Sequence, residues 1–316
     1  MVKLNKEADE KFYCDDPRTI VVPAVRKKHW AVMIDLMTEL DRICTKHGLR
    51  WFVDGGTLLG AVRHGGFIPW DDDVDVNMPR EDYEKLCKIA PVEFEDPYFF
   101  QTNDTDHEWM NLYARLCNSD TTAIAKAILK NGKTTRKNNQ GIFIDIFPLD
   151  KVPDDWYERK RFLATISRAD KKRWYRVAAL RLFREPSRRM LAQPLDVFKF
   201  IYGGFIAGVK RFLGIDLVNK AYHEVHRLSR RYENSDFECV AEVAFIPDIC
   251  QVQIYPESKY VSGNRISFEY IDVPVPLEPE KYLEIAFGDW QTHVVGTGLH
   301  GDLFIDVDNS YRKYLK

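Results

Sequence analysis

Between Ala24 and His47, apolar side chains at Trp30, Ile34, Met37, Leu40 and Cys44 recur every three or four residues. That spacing predicts an amphipathic helix, and Gly48 supplies its stop. Arg50 to Asp54 reads as a short strand running into Gly55-Gly56-Thr57, after which Leu58 to Arg63 is compatible with a helix. A loop with Gly65, Gly66 and Pro69 leads to Asp73-Val74-Asp75-Val76, whose strict alternation predicts a strand. Arg80 to Ala90 returns to helical spacing, closed by Pro91. Tyr98 to Gln101, Leu112 to Cys117 and Thr121 to Ala125 are expected strands, and Gly141 to Phe147 is another, ended by Pro148. Helical patterns dominate from Asp154 to Tyr232, with expected interruptions at Pro186, Pro194 and Gly203-Gly204. Strand-like pieces follow at Val240 to Ile246 and Arg265 to Ile271, then a helix from Pro279 to Phe287.

This order of elements predicts an α+β chain: a small mixed sheet in the first half and a helix-rich second half. A length of 316 residues suits about two domains. The composition shifts to basic and helical near Pro153, so the expected division is a catalytic core over 1–153 and a helix-rich region over 154–316, whose late strands are free to return to the core. With 45% hydrophobic and 30% charged residues the chain is an ordinary globular one, which excludes disordered, collagen-like and coiled-coil classes.

Six cysteines stand at 14, 44, 87, 117, 239 and 250 with no C-x-x-C pair, so neither a zinc knuckle nor a disulfide framework is expected. Met1 to Phe12 is charged throughout and lacks an apolar centre, and the longest apolar run, Phe200 to Val209, is too short for a membrane span. The expected location is therefore cytoplasmic. A formal net charge of −2 argues against a general nucleic-acid binder, and no nucleic-acid partner is expected. That average conceals an asymmetry. Residues 159–189 hold twelve Lys/Arg against two acids, leaving −12 on the remainder. Trp174, Tyr175, Leu180, Leu182 and Phe183 are interleaved with those bases, and an apolar stretch from Pro194 to Leu213 follows. Such a pattern across 159–213 suits either a solvated helical face or an anionic membrane surface, peripheral on the inner face of the cell membrane.

The densest chemical signal is acidic. On a strand, residues two apart share a face, so Asp73 and Asp75 project together while Val74 and Val76 pack. Two neighbouring carboxylates repel unless a positive charge joins them, and a divalent cation bridging phosphate oxygens answers that need. Asp145 sits within the apolar run Ile142 to Phe147, where an ionised acid is costly without a metal or a donor. A strand entering Gly55-Gly56-Thr57 and then a helix places free backbone N–H groups at one point, a phosphate cradle. Together these halves point to metal-assisted phosphoryl transfer with Mg²⁺ or Mn²⁺ held by Asp73, Asp75 and Asp145. Asp71 and Asp72 read as a solvated turn. An EF-hand is excluded because Val76 stands where that loop needs Gly. Arg63 and Arg80 are candidates for donor phosphates, and Arg115 is a weaker one. Gly296 to Gly301 spells G-x-G-x-x-G, but the strand-like Asp302 to Val307 follows it, so it reads as a loop.

Trp51-Phe52-Val53-Asp54-Gly55-Gly56-Thr57-Leu58-Leu59-Gly60-Ala61-Val62-Arg63-His64, continued by Phe67-Ile68-Pro69-Trp70-Asp71-Asp72-Asp73-Val74-Asp75, resembles the signature of the LicD family. Gly141 to Asp150 resembles that family's second signature. The resemblance implies a nucleotidyltransferase fold of the polymerase-beta type, in which Asp73 and Asp75 match the paired metal ligands and Asp145 the third carboxylate. It implies that Gly55, Gly56 and Thr57 hold the pyrophosphate of a CDP-alcohol donor, CDP-choline by default, and that CMP leaves as the phospho-alcohol reaches a glycan or lipid-linked saccharide acceptor. A nucleotidyltransferase releasing pyrophosphate from an NTP would use the same carboxylates, and a silent nucleotide-binding module is the non-enzymatic alternative. The chain departs from the family at Phe287-Gly288-Asp289-Trp290, which runs into Val294-Val295-Gly296 where a Pro pair is usual.

Overall fold

The computed structural model describes residues 22–186, 193–244, 252–294 and 303–316. The Gly296–Gly301 motif, the Met1–Phe12 segment, Cys14 and Cys250 lie outside these residues. The described chain is a mixed α+β protein that divides into two compact units. One takes the described residues up to Leu149 together with those from Gln253 onward, and the other runs from Asp150 to Val252.

The first unit is built on a mixed sheet. Helix α1 (Ala24–His47) ends where Gly48 adopts φ 64°, a left-handed stop that a side chain would disfavour. Its periodic residues Trp30, Ile34, Met37, Leu40 and Cys44 are all buried. Strand β1 (Phe52–Val53) passes into helix α2 (Gly55–His64). Strand β2 (Asp75–Pro79) passes into helix α3 (Arg80–Glu93). The chain continues through β3 (Tyr98–Gln101), β4 (Ala114–Asn118), β5 (Thr122–Ala125) and β6 (Ile142–Lys151), of which β5 lies outside the main sheet.

In the main sheet the order is β1-β2-β6-β4-β3. There β2 and β6 run parallel, with Asp75 opposite Asp145 and Val76 opposite Ile146. The core beneath them is apolar: Val74, Val76, Met78, Leu116, Ile142, Ile144 and Ile146 are fully buried.

Two sequence expectations need correction here. Helix α3 continues past Pro91 to Glu93, because a proline in the last turn removes at most one bond that the fraying end would scarcely keep. Strand β6 runs through Pro148 to Lys151. Its ladder with β4 ends at Ile146, so the missing N–H of Pro148 interrupts no bond to that strand.

The later part of the first unit contains the hairpin β7 (Arg265–Phe268) and β8 (Ile271–Pro274), then helix α4 (Pro279–Phe287) and strand β9 (Leu303–Asp306), which pairs antiparallel with β5. Arg265 to Ile271 is thus not one strand. Glu269, at φ 54°, turns the chain between two.

The second unit is helical, with α5 (Trp156–Arg184), α6 (Pro194–Leu213) and α7 (Leu217–Ser229), and it includes the short extended piece Cys239–Glu242. Asp155 caps α5 and Asp216 caps α7, each side chain accepting first-turn N–H groups. The expected breaks near Pro186 and Pro194 stand, since α5 ends at Arg184 and α6 begins at Pro194, but Gly203-Gly204 does not interrupt α6. Pro194 opens α6 at its first turn, where no N–H is needed. A Cβ on Gly203 would stand 2.1 Å from the Ala179 carbonyl, so this glycine lets α5 and α6 approach backbone to backbone.

Candidate functional site

The site begins at the junction of β1 and α2. The Asp54 N–H donates to the Asp75 carbonyl at 3.0 Å, and the first intrahelical bond of α2 runs from the Leu58 N–H to the Asp54 carbonyl. The amides of Gly55, Gly56 and Thr57 therefore have no intrahelical acceptor, as at any helix start. Gly55 holds φ 50° to make the sharp entry. Gly56 is required for another reason: a Cβ there would lie 2.7 Å from Asp71 Oδ2. Thr57 is buried, and its Oγ1 accepts the Asp75 N–H at 3.0 Å, so its side chain ties α2 to β2.

The acidic residues come together in two groups. Asp71, Asp72 and Asp73 each place a carboxylate oxygen within 4.8 Å of the others. Asp75 and Asp145 are neighbours across the β2–β6 pair, and pairing extends back to Val74, whose carbonyl accepts the Asp145 N–H at 2.9 Å. The ladder strand itself starts at Asp75, two residues later than the alternation suggests.

Asp71 and Asp72 are half-buried, not the solvated turn expected for them. Burial, and next the adjoining Asp73 carboxylate, push the Asp71 carboxyl well above its ordinary range. Helix α1 fixes this turn from behind. Arg26 Nη1 and Trp30 Nε1 both donate to the Asp71 carbonyl, at 3.2 and 3.1 Å. His29, on the same helix, is buried, and burial lowers its pKa to about 4.

Asp145 is held by a residue that sequence reading ranked low. Arg115 Nε donates to Asp145 Oδ1 at 2.5 Å and Nη2 to Oδ2 at 3.2 Å. The guanidinium lies 3.5 Å from the Phe143 ring centroid and 4.4 Å from that of Trp109. Burial works against its charge, but the Asp145 carboxylate, with smaller contributions from Tyr113 and Cys117, raises the Arg115 pKa. The remaining candidates sit in structural bonds. Arg63 Nη1 donates to the Trp290 carbonyl at 2.8 Å, bracing the end of α2. Arg80 is buried at the start of α3, donates to Glu84 at 3.1 Å and lies over the Tyr83 ring.

Two more carboxyls were invisible as site elements in the sequence. Asp54 is buried at the head of α2 and accepts the hydroxyl hydrogen of Tyr282 from α4. Burial raises its pKa to about 6, against hydrogen bonds from the Gly55 backbone and the Asn77 side chain. Glu269 accepts the Phe67 N–H at 3.1 Å through Oε1, while its own N–H donates to the Gly65 carbonyl at 2.7 Å. Burial lifts the Glu269 pKa to about 7. Glu269 thereby clamps the loop that joins the glycine turn to the acidic residues.

The three carboxylates of Asp71, Asp72 and Asp73, within reach of one another, suit a hard divalent cation, which takes oxygen ligands and relieves their repulsion. They stand beside a helix start whose amides suit phosphate. Residues 48–177, which contain both features, match the family model for the LicD/FKTN/FKRP nucleotidyltransferase domain. The chain carries a LicD-family domain. Relatives of this LicD domain include the lipopolysaccharide cholinephosphotransferase LicD of Haemophilus influenzae, 31% identical over 153 residues, which cover 46% of this chain and 54% of that protein. The ribitol 5-phosphate transferase FKRP of mouse is 57% identical over 46 residues, covering 15% of this chain and 9% of FKRP, and the human protein matches to the same extent. The chain thus spans about half the length of the bacterial relative and much less of FKRP.

Proposed function

We propose that the protein transfers a phospho-alcohol from a CDP-alcohol donor to a glycan hydroxyl, releasing CMP, with phosphocholine as the first donor group to test. The observation that carries this reading is the meeting of the α2 start with the acidic residues, where Gly56 lacks a side chain because Asp71 Oδ2 occupies its space. The two named relatives transfer cholinephosphate and ribitol 5-phosphate, which supports a phospho-alcohol as the group moved. We place the domain in the polymerase-beta type of nucleotidyltransferase fold, in keeping with the family description.

In this reading the backbone amides of Gly55, Gly56 and Thr57 bind the donor pyrophosphate. Asp73, Asp75 and Asp145, joined by Asp71, would hold Mg²⁺ or Mn²⁺. When bound, such an ion neutralises phosphate charge and stabilises the leaving oxygen. The acceptor oxygen forms the new P–O bond, the bond to CMP breaks, and the hydroxyl proton passes to a carboxylate of the acidic group. Arg115 already occupies one acceptor direction on each Asp145 oxygen, which leaves Asp145 better suited to holding a cation than to collecting a proton.

The test is a donor screen with purified protein, Mg²⁺ or Mn²⁺, a saccharide acceptor, and CDP-choline, CDP-ribitol and CDP-glycerol in parallel, monitored by CMP release. CMP from one donor supports the proposal and names the alcohol. Pyrophosphate release from an NTP, with no CMP from any CDP-alcohol, would replace it with the nucleotidyltransferase reading. Asp73→Ala and Asp145→Ala should each lower turnover by about a hundredfold or more; full turnover in either would remove that residue from the metal set.

A further inference from the structure

The outward face of α6 is apolar along nearly its whole length. Phe198, Ile201, Phe205 and Phe212 are 62, 64, 59 and 81% exposed. With Gly208 they follow a 3-4-3-4 spacing, so they form one stripe on a straight helix. No charged residue interrupts that stripe. The charges of α6, Asp196, Lys199, Lys210 and Arg211, lie off it at the helix ends. At about 1.5 Å per residue the helix is roughly 30 Å long, yet among the described residues no helix is long and apolar enough to cross a bilayer. An exposed apolar patch of this size is uncommon on a monomer and marks a surface that meets something.

What it meets is indicated by the neighbouring helix. α5 packs on α6 through Tyr175, beside Tyr202, through Ala179, at Gly203, and through Phe183, beside Phe200. The same helical row, read back toward the start of α5, continues through Lys172, Arg168 and Arg161, all exposed. Lys171 and Lys160 are exposed beside it. The row that carries α6 therefore turns from packing residues into a basic rail. An aromatic and aliphatic stripe next to a row of cations complements one chemistry: the anionic headgroups and upper acyl chains of a phospholipid surface.

We infer that α6 lies flat in an anionic membrane surface, with Phe198, Ile201, Phe205 and Phe212 entering the acyl boundary and Arg161, Arg168 and Lys172 on the headgroups. Lipid is the occupant this combination favours, and a second copy of this chain is an outcome the test distinguishes. The inference is independent of the donor and of the reaction.

Vesicle co-sedimentation with the full chain tests it. Phosphatidylcholine vesicles with and without a quarter of phosphatidylglycerol are compared at low and at high salt. The expected result is binding to the anionic vesicles, weak binding to the neutral ones, and a marked fall at high salt. The exposed double variant Phe198→Ser/Phe205→Ser should lose at least about tenfold in vesicle affinity with an unchanged circular dichroism spectrum. Arg161→Glu/Arg168→Glu/Lys172→Glu should lose the dependence on phosphatidylglycerol. A Phe205→Trp variant should gain a fluorescence signal that brominated lipid quenches. No binding to anionic vesicles at low salt would overturn the inference. So would unchanged binding by the serine variant, or a wild-type dimer in sedimentation velocity that the serine variant converts to monomer without altered vesicle binding.

Discussion

Arg115 and Asp145 stand opposite each other on β4 and β6, and two parallel hydrogen bonds, 2.5 and 3.2 Å long, join guanidinium to carboxylate. The pair gives Asp145 its orientation before any ligand arrives. Arg115→Ala leaves a buried acid without its counter-charge, and the expected loss is about 3 kcal/mol in chemical denaturation. Arg115→Lys restores a charge but not the fork, so it should recover part of the stability while turnover stays low. Equal stability of the Ala variant and the wild type would show that Asp145 has another sufficient partner.

Gly56→Ala brings a methyl group to 2.7 Å from Asp71 Oδ2, which must then rotate away. The Asp71 backbone cannot follow easily, because Arg26 and Trp30 hold its carbonyl. Turnover should fall at least about tenfold while stability changes by no more than about 1 kcal/mol. CMP release set beside a thermal melt separates the two effects.

Asp54 should give stability a distinct pH dependence. Its folded pKa of about 6 lies above the ordinary 3.8, so the fold favours the protonated carboxyl. That contribution is fully present below about pH 4 and is lost as pH rises through 6. Asp54→Asn, which can still accept the Tyr282 hydrogen, should match the wild type near pH 4 and exceed its stability by up to about 3 kcal/mol above pH 7. Denaturation midpoints of both proteins from pH 4 to 8 would measure it. Parallel curves across that range would contradict the assignment.

Glu269 follows the same sign over a higher window. Its pKa is raised from 4.5 to about 7, so its contribution is full below about pH 4.5 and lost as pH climbs through 7. Glu269→Gln keeps an acceptor for the Phe67 N–H and removes the charge. It should be more stable than the wild type at pH 8 by up to about 3 kcal/mol and equal at pH 4.5. Glu269→Ala removes the acceptor as well, and should lose stability at both pH values.

The parts of the fold that were legible are those set by local pattern. The α1 stripe from Trp30 to Cys44 with its Gly48 stop, the α4 helix and the strands around Phe99 and Ile144 all follow from period and punctuation. What was not legible depends on distant neighbours. Pro148 reads as a stop unless one knows where the β4 ladder ends, and Gly203 reads as a break unless the Ala179 carbonyl is seen against it. The same division holds at the site. Asp73, Asp75 and the glycine turn announce themselves by spacing, whereas Asp71, Arg115, Asp54 and Glu269 acquire meaning only from partners between about 15 and 230 positions away. Asp71 has a weak signal in its place beside the Asp73-x-Asp75 pair. Glu269 has none.

The parallel register of β2 and β6 also bears on how the chain assembles. Asp75 and Asp145 are 70 positions apart in sequence yet adjacent across strands, so folding must close a long loop in order to bring two like charges together. Strand pairing with an acid on each side is opposed from the first encounter. Arg115 stands on β4, which is antiparallel to β6 and nearer to it in sequence than β2 is, and there it matches the Asp145 charge. Arg115 is in this sense an internal substitute for a cation, built into the sheet, so that one of the two facing acids is already balanced by the chain itself.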